Sequence, residues 1–184
     1  MATMLFSRDG FDKVTIKQVA RRCKITEPAI YRHFESKVAL CEAVLDAVGE
    51  RLAYNELFER LESEDNVENL LRQLALHIVN FFTENQDIYR LLLFSALAGH
   101  PHARQVYDAI RGAYARFLRE QLDRLYSRDL IVKKNNEITA RCFVGMVFDC
   151  AMANTLWKGM QGKVYTPSDV VANNVPIYAQ GLKP

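Results

Sequence analysis

The sequence predicts an all-α protein, and three observations support that fold class. Apolar residues recur at helical spacing along nearly the whole chain, and no run alternates apolar and polar residues for long enough to form a convincing strand. Five prolines and eight glycines are few interruptions for 184 residues. Capping signals mark short helices near the start. We expect an N-terminal three-helix domain over residues 1–50, with a helix-turn-helix at about 15–34, and a larger helical domain over 51–184.

Composition limits the class of protein further. Hydrophobic residues make up 49% and charged residues 25% of the chain, as in ordinary globular proteins. No apolar run reaches the roughly 18 residues that a membrane span needs, and the N-terminus lacks the apolar core of a signal peptide. The four cysteines lack metal-site spacing and favour reduced thiols. We therefore expect a cytoplasmic protein without a cofactor, a metal or a membrane partner.

The net charge of +2 conceals a basic excess at the front of the chain. Residues 1–40 contain eight Lys or Arg and four Asp or Glu, a balance of +4, whereas residues 41–184 contain 16 and 18, a balance of −2. This asymmetry indicates a polyanionic partner for the N-terminal segment. A solvated surface without a partner can carry the same charge.

Capping signals define the first helices. Phe6 lies in a short first helix that Gly10 closes, since glycine suits a left-handed C-terminal cap. Thr15 and Gln18 form a T-x-x-Q capping box at the start of the second helix. That helix has an apolar face and a hydrophobic staple, formed by Val14, Ile16, Val19, Ala20 and Cys23.

The third helix is predicted over 27–34. Thr26 is a good N-cap, Ile25 and Ile30 repeat the staple pattern, and Ser36 caps the helix that follows. Two short helices joined by about three residues have the dimensions of a helix-turn-helix.

Longer helices fill the rest of the chain. An acidic segment at 62–66 is the clearest break in the pattern. The fourth helix is predicted from 37 to about 54, and its inward residues are Val38, Cys41, Val44, Leu45, Val48 and Leu52. Further helices are expected near 67–84, 86–98, 102–127, 134–160 and 167–181.

A helix-turn-helix places its second helix in the major groove of DNA. On that helix Glu27 could accept a hydrogen bond from cytosine, and Arg32 could reach guanine or a phosphate. Lys37 lies in the first turn of its helix, where the macrodipole disfavours a cation, which suggests an external anion. The alternative is that all three are plain surface residues.

Short motifs near the N-terminus resemble those of the tetracycline-repressor (TetR) family. They are Leu5-Phe6, Gly10-Phe11, Val14-Thr15-Ile16, Val19-Ala20, the run 29–34 and Ser36-Lys37. The resemblance covers roughly residues 2–48. It implies that Thr15 contacts the DNA backbone, that Thr26, Glu27 and Pro28 lie near base edges, and that Tyr31, His33 and Lys37 bind phosphates. The first helix is shorter than is usual in the family, and the acidic Glu27 leaves base preference open.

The resemblance also implies a C-terminal domain that binds an effector and forms a homodimer. Pocket candidates are the residues His77, Phe81, Tyr89, Phe94, Tyr107, Tyr114, Phe117, Met146 and Asp149. The alternative, which is the more common one for an aromatic row at helical spacing and for a histidine among apolar residues, is that the aromatic residues and His77 belong to an ordinary core. Asp149 is the one charge in an apolar stretch, so we expect it to be buried beside a ligand or an internal partner. Candidates for the dimer interface are Phe148, Met152, Leu156, Val170, Val171 and Ile177.

These observations predict a sequence-specific DNA-binding regulator. By the resemblance, it is a repressor that leaves a palindromic operator when a small molecule binds. The alternative is a small-molecule-binding helical protein without DNA-binding activity. No phosphate-loop, dinucleotide-binding or hydrolase motif is present, so we expect no enzyme. The pair His100 and His102 makes a poor metal site. The effector, the operator sequence, the target genes and the sign of regulation stay open.

Overall fold

The computed structural model describes residues 1–51, 54–155 and 165–184, and every regular element in these ranges is a helix. This confirms the predicted all-α class. The helices are α1 (Ala2–Asp9), α2 (Ile16–Cys23), α3 (Glu27–Tyr31), α4 (Lys37–Arg51), α5 (Tyr54–Leu61), α6 (Val67–Glu84), α7 (Gln86–Leu97), α8 (Pro101–Ser127), α9 (Asn136–Thr155) and α10 (Pro167–Gln180).

The main difference from the predicted helices is α5, which the sequence pattern did not indicate. Its buried residues, Leu57 and Leu61, form a single i, i+4 pair. Acidic residues follow directly at 62–66, and so short an apolar stripe does not stand out beside the break between domains. By contrast, the bounds of α6 agree with the prediction, and α7, α8 and α10 agree within one residue.

The chain forms two compact units. The first contains Met1–Leu52 and Asn85–Ala109, and the second contains Ala53–Glu84 and Ile110–Pro184. In the first unit α1 packs on α4 and α7, and α2 packs on α3. In the second unit α6 packs against α9 and α10. The division into functional domains at residue 50 stays a prediction.

The core of the first unit comes from the predicted apolar faces. Phe6, Val19 and Ile30 are buried in it, and so are Cys41 and Leu45 from α4. Val38 is 43% exposed, so its predicted inward position is wrong. The inward residue on that turn of α4 is Leu40 instead.

The core of the second unit is built around α6. Six residues of this helix are completely buried, as its 3.6-residue periodicity predicts for an inward face: Leu70, Leu71, Leu74, Ile78, Val79 and Phe82. In the described ranges we find no helix with the length and apolar character needed to cross a membrane.

Candidate functional site

The capping box positions the start of α2 as predicted. The Gln18 amide donates to Thr15 Oγ1 at 3.2 Å, and the Thr15 amide donates to Gln18 Oε1 at 2.7 Å. The staple residues Val14 and Val19 are 1% and 2% exposed. These contacts hold Thr15 on the surface at the N-terminus of α2, where free amides favour a negatively charged partner.

A tight turn connects α2 to α3. Lys24 adopts the left-handed conformation with φ of 58°, and the Ile25 amide donates to the Ala20 carbonyl at 3.0 Å. Ile25 remains 49% exposed, so much of its side chain stays outside the core. The contact that anchors α3 is therefore Ile30, which is 5% exposed.

The helix α3 is shorter than predicted and open on one side. It ends at Tyr31 rather than at residue 34, because the His33 amide donates back three residues to Ile30 and tightens the last turn. Thr26 occupies the N-cap position without a side-chain cap hydrogen bond. Glu27 is half-buried. The exposed residues of α3 and its flanks are Thr26, Pro28, Tyr31, Arg32 and His33.

Lys37 has internal partners that sequence reasoning did not find. Its ammonium donates to the carbonyls of Phe11 at 2.9 Å and Asp12 at 3.4 Å, and lies 4.3 Å from the centroid of the Phe11 ring. These contacts explain why a cation is stable in the first turn of α4 without an external anion. The half-buried Lys37 thus ties α4 to the loop after α1, and its role as a phosphate ligand stays a prediction.

Sequence reasoning also missed a group of cations on α2 and at its C-cap residue. Their spacing was a usable signal, since positions 17, 21 and 24 repeat on one side of a helix. In the described part of the chain none of them takes part in an ion pair. The exposed group consists of Lys17, Arg21, Arg22 and Lys24.

Part of the predicted effector pocket comes together in the second unit around Tyr114. This side chain is fully buried, and its hydroxyl has no hydrogen-bond partner among the described residues. Burial, with a smaller contribution from Tyr54, raises the pKa of Tyr114 well above its ordinary value. The rings around it, with centroid separations from 5.5 to 6.3 Å, belong to Tyr54, Phe58, His77 and Phe148.

Two of these rings belong to α5 and were therefore missed. Phe58 stacks on the predicted pocket residue Phe117 at 4.2 Å, with an interplanar angle of 5°. Phe81 packs edge-on against Phe82 at 5.2 Å. The half-exposed Met146 lies one turn from Cys150, with their sulfur atoms 3.9 Å apart.

The remaining pocket candidates are Tyr89, Phe94, Tyr107 and Asp149. Tyr89, Phe94 and Tyr107 belong to the first unit, in which Tyr89 is buried and Phe94 is 48% exposed. Asp149 is exposed, so its expected burial is wrong. The apolar stretch around Asp149 is not buried on all sides: α9 turns this residue outward and Val147 and Phe148 inward.

The predicted dimer residues fall into two groups. Phe148, Val170 and Val171 are buried within the single chain, where they belong to the core. Ile177 is 64% exposed, Met152 is half-buried, and Leu156 lies outside the described residues.

The sequence did not indicate that α9 carries a large apolar side chain on its exposed surface. Ile138 is 58% exposed, and it adds an apolar side chain to that surface. His100 and His102 do not meet at a metal site, and the described residues hold no group of three potential metal ligands.

Residues 1–44 match the family model described as bacterial regulatory proteins, tetR family. The nucleoid occlusion factor SlmA of Marinomonas sp. (strain MWYL1) is 29% identical over 125 residues, which are 65% of this chain and 62% of that protein. SlmA of Salmonella newport (strain SL254) is 28% identical over 126 residues, covering 66% and 63%. The chain thus spans less than two thirds of the length of these curated relatives.

Solved structures share the fold over nearly the whole chain. AibR in complex with isovaleryl coenzyme A and operator DNA has a TM-score of 0.71 at 21% identity, covering 96% of this chain and 92% of AibR. The TetR-family transcriptional regulator PfmR from Thermus thermophilus has a TM-score of 0.75 at 17% identity, covering 100% and 97%.

Proposed function

We propose that this chain is a TetR-family transcriptional regulator whose homodimer binds a palindromic DNA operator through α2 and α3 and releases it when a small molecule binds. The observation that carries the proposal is the construction of α3. Ile30 anchors this helix, while Pro28 and Tyr31 face solvent on it. A helix held in this way can enter a major groove.

The residues around α3 have distinct proposed roles. Thr26, Glu27 and Pro28 lie at its N-terminal end, which is the end of a recognition helix that reaches base edges. Thr15, Tyr31, His33 and Lys37 contact phosphates, and Arg32 binds guanine or a phosphate.

The basic group of α2 supports the same partner. Its four exposed cations add favourable long-range attraction to a polyanion, whatever its sequence. They account for much of the basic excess of residues 1–40. The proposed DNA contact is therefore partly sequence-independent, as in other DNA-binding proteins.

We place the dimer contact on α9 and α10. Ile138 and Ile177 are large apolar side chains that remain exposed on these helices, at 58% and 64%. A two-fold axis would bury both copies of each side chain. A symmetric dimer in turn presents two recognition helices to half-sites about 34–36 Å apart, or a multiple of that distance.

The effector is proposed to bind in the second unit near Tyr114. An unpaired hydroxyl inside an aromatic cluster is costly unless a ligand supplies its partner. AibR, which shares the fold, was solved with both a small molecule and operator DNA. By linkage, an effector that favours the released state weakens DNA binding, and DNA weakens effector binding equally. We assign the protein repression and a cytoplasmic location, and no catalytic activity.

The experiment that tests the proposal is selection from a random double-stranded DNA pool. We expect an inverted repeat, and an affinity for it that falls steeply with salt because phosphate contacts release counterions. Tyr31→Ala should weaken binding to all sequences equally. Tyr126→Ala is the matched control, since Tyr126 is also exposed, at 40%, but lies in the second unit. Failure to recover any sequence, at any salt concentration, would favour the small-molecule-binding alternative.

A further inference from the structure

A groove within the first unit has the dimensions of a small-molecule site. It lies between α1, the loop at residues 10–13, and α7, and we name it the α1–α7 groove. Its volume of about 730 Å³ falls in the range of ligand pockets. All of its lining residues belong to the first unit, whereas the aromatic cluster around Tyr114 belongs to the second.

One wall of the α1–α7 groove is aromatic. Phe6 and Phe11 stack with centroids 5.9 Å apart, and Leu91 and Phe94 line the groove from α7. Phe94 is 48% exposed, although it stands in a concave surface. A flat apolar molecule in the groove would cover this ring and gain stacking contacts.

The end of the groove presents a polar atom without a partner. His100 Nδ1 is buried and forms no hydrogen bond with the described residues. The His100 ring packs edge-on against Phe11 at 5.5 Å, and the His100 backbone amide donates to the Ser95 carbonyl at 2.9 Å. Because Nδ1 is shielded from solvent, a ligand hydroxyl reaches it when the imidazole ring turns toward the groove, and a neutral imidazole nitrogen then donates or accepts according to its tautomer.

The charges of the groove cancel. Arg8 and Asp9, two of its charged residues, form an ion pair with 2.7 Å between the guanidinium nitrogen and the carboxylate oxygen. Equal numbers of cations and carboxylates give neither a cationic nor an anionic ligand an advantage. The charged lining residues are Arg8, Asp9, Asp12, Lys13, Asp87 and Arg90.

We propose that the α1–α7 groove binds an uncharged aromatic molecule of the phenol class, with the ring on Phe94 and Phe11 and the hydroxyl on His100 Nδ1. Phe11 also accepts the hydrogen bond from Lys37 and lies beneath its ammonium. An occupant therefore touches the residue that positions Lys37. If Lys37 binds a phosphate, a role that rests on the proposed function, occupancy of the groove weakens DNA binding.

The first test measures binding without DNA. The probe is 2-naphthol, titrated into the full chain by calorimetry, with 2-naphthoate as its anionic analogue. Phe94→Ala should weaken binding about tenfold, and His100→Leu should weaken it as well. The matched control is Leu97→Ala on the same helix, since Leu97 is 74% exposed and does not line the groove.

A groove-filling variant locates the probe if a substitution disturbs the fold. Ala98 lines the groove and is exposed, so Ala98→Trp should block 2-naphthol while the circular dichroism spectrum stays unchanged. No binding of 2-naphthol, binding that survives both Phe94→Ala and Ala98→Trp, or tighter binding of 2-naphthoate would each overturn the assignment.

The second test measures DNA affinity with and without saturating 2-naphthol. We expect at least about fivefold weaker binding, the lower end of usual allosteric coupling, and no effect in Ala98→Trp. Unchanged DNA affinity despite measured probe binding would overturn the coupling to Lys37. A chain that binds the probe but no DNA would instead contradict the proposed function alone.

Discussion

Tyr114→Phe should make the protein more stable. The substitution keeps the ring among its aromatic neighbours and removes a fully buried hydroxyl that has no hydrogen-bond partner among the described residues. An unsatisfied buried hydroxyl costs about 1–3 kcal/mol, so the free energy of unfolding should rise by that amount. For a chain of this size the melting temperature should rise by roughly 2–12 °C.

The pH dependence of the free energy of unfolding gives a second measure of the Tyr114 hydroxyl. Burial, and to a lesser extent Tyr54, raises the pKa of Tyr114, so the folded chain keeps this proton when the unfolded chain loses it. Below about pH 10, the ordinary tyrosine pKa, both states keep the proton; above it the unfolded chain ionises while the folded chain does not, so the free energy of unfolding of the unsubstituted protein falls. The advantage of Tyr114→Phe should therefore widen above that pH.

Denaturant unfolding, followed by circular dichroism, is the assay. Tyr126→Phe is the matched control, because it makes the same change on the same helix at a side chain that is 40% exposed. We expect no change in stability for the control. A loss of stability in Tyr114→Phe would refute the reasoning, since it would mean that the hydroxyl is satisfied in the folded state.

Two further predictions concern the first unit. Thr15→Ala should lower the free energy of unfolding by about 0.5–2 kcal/mol because it removes the side-chain cap of α2. Thr15→Ser keeps the hydroxyl and should keep the stability. Equal losses of stability in both variants would contradict the capping role. Burial raises the pKa of the Cys41 thiol to about 11, so iodoacetamide at pH 8 should label the exposed Cys142 first and Cys41 only on unfolding. Equal labelling rates in the native protein would contradict the burial of Cys41.

Local signals predicted the fold well. The capping box of Thr15 and Gln18 depends on residues three positions apart, and the buried face of α6 depends on helical periodicity alone. Both are properties of a single helix, so a sequence shows them directly. The same reasoning failed for α5, whose one apolar pair lies next to an acidic segment.

The candidate sites depended more on contacts between distant residues. Lys37 meets the carbonyl of Phe11, 26 positions earlier, and no pattern in the sequence indicated that pair. Asp149 was expected to be buried because its neighbours are apolar, yet the rotation of α9 within the bundle turns it to solvent. Helix rotation and tertiary pairing are set by packing, which periodicity describes only for one helix at a time.

Repeating the DNA selection with Glu27→Gln tests the central claim, that α3 reads bases, most directly. A glutamate accepts a hydrogen bond from cytosine, whereas a glutamine pairs with adenine. We predict that one position in each half-site changes from cytosine to adenine, while the spacing of the half-sites stays the same. An unchanged consensus would show that α3 does not read the sequence at this residue and would contradict the proposed docking of α3 in the major groove.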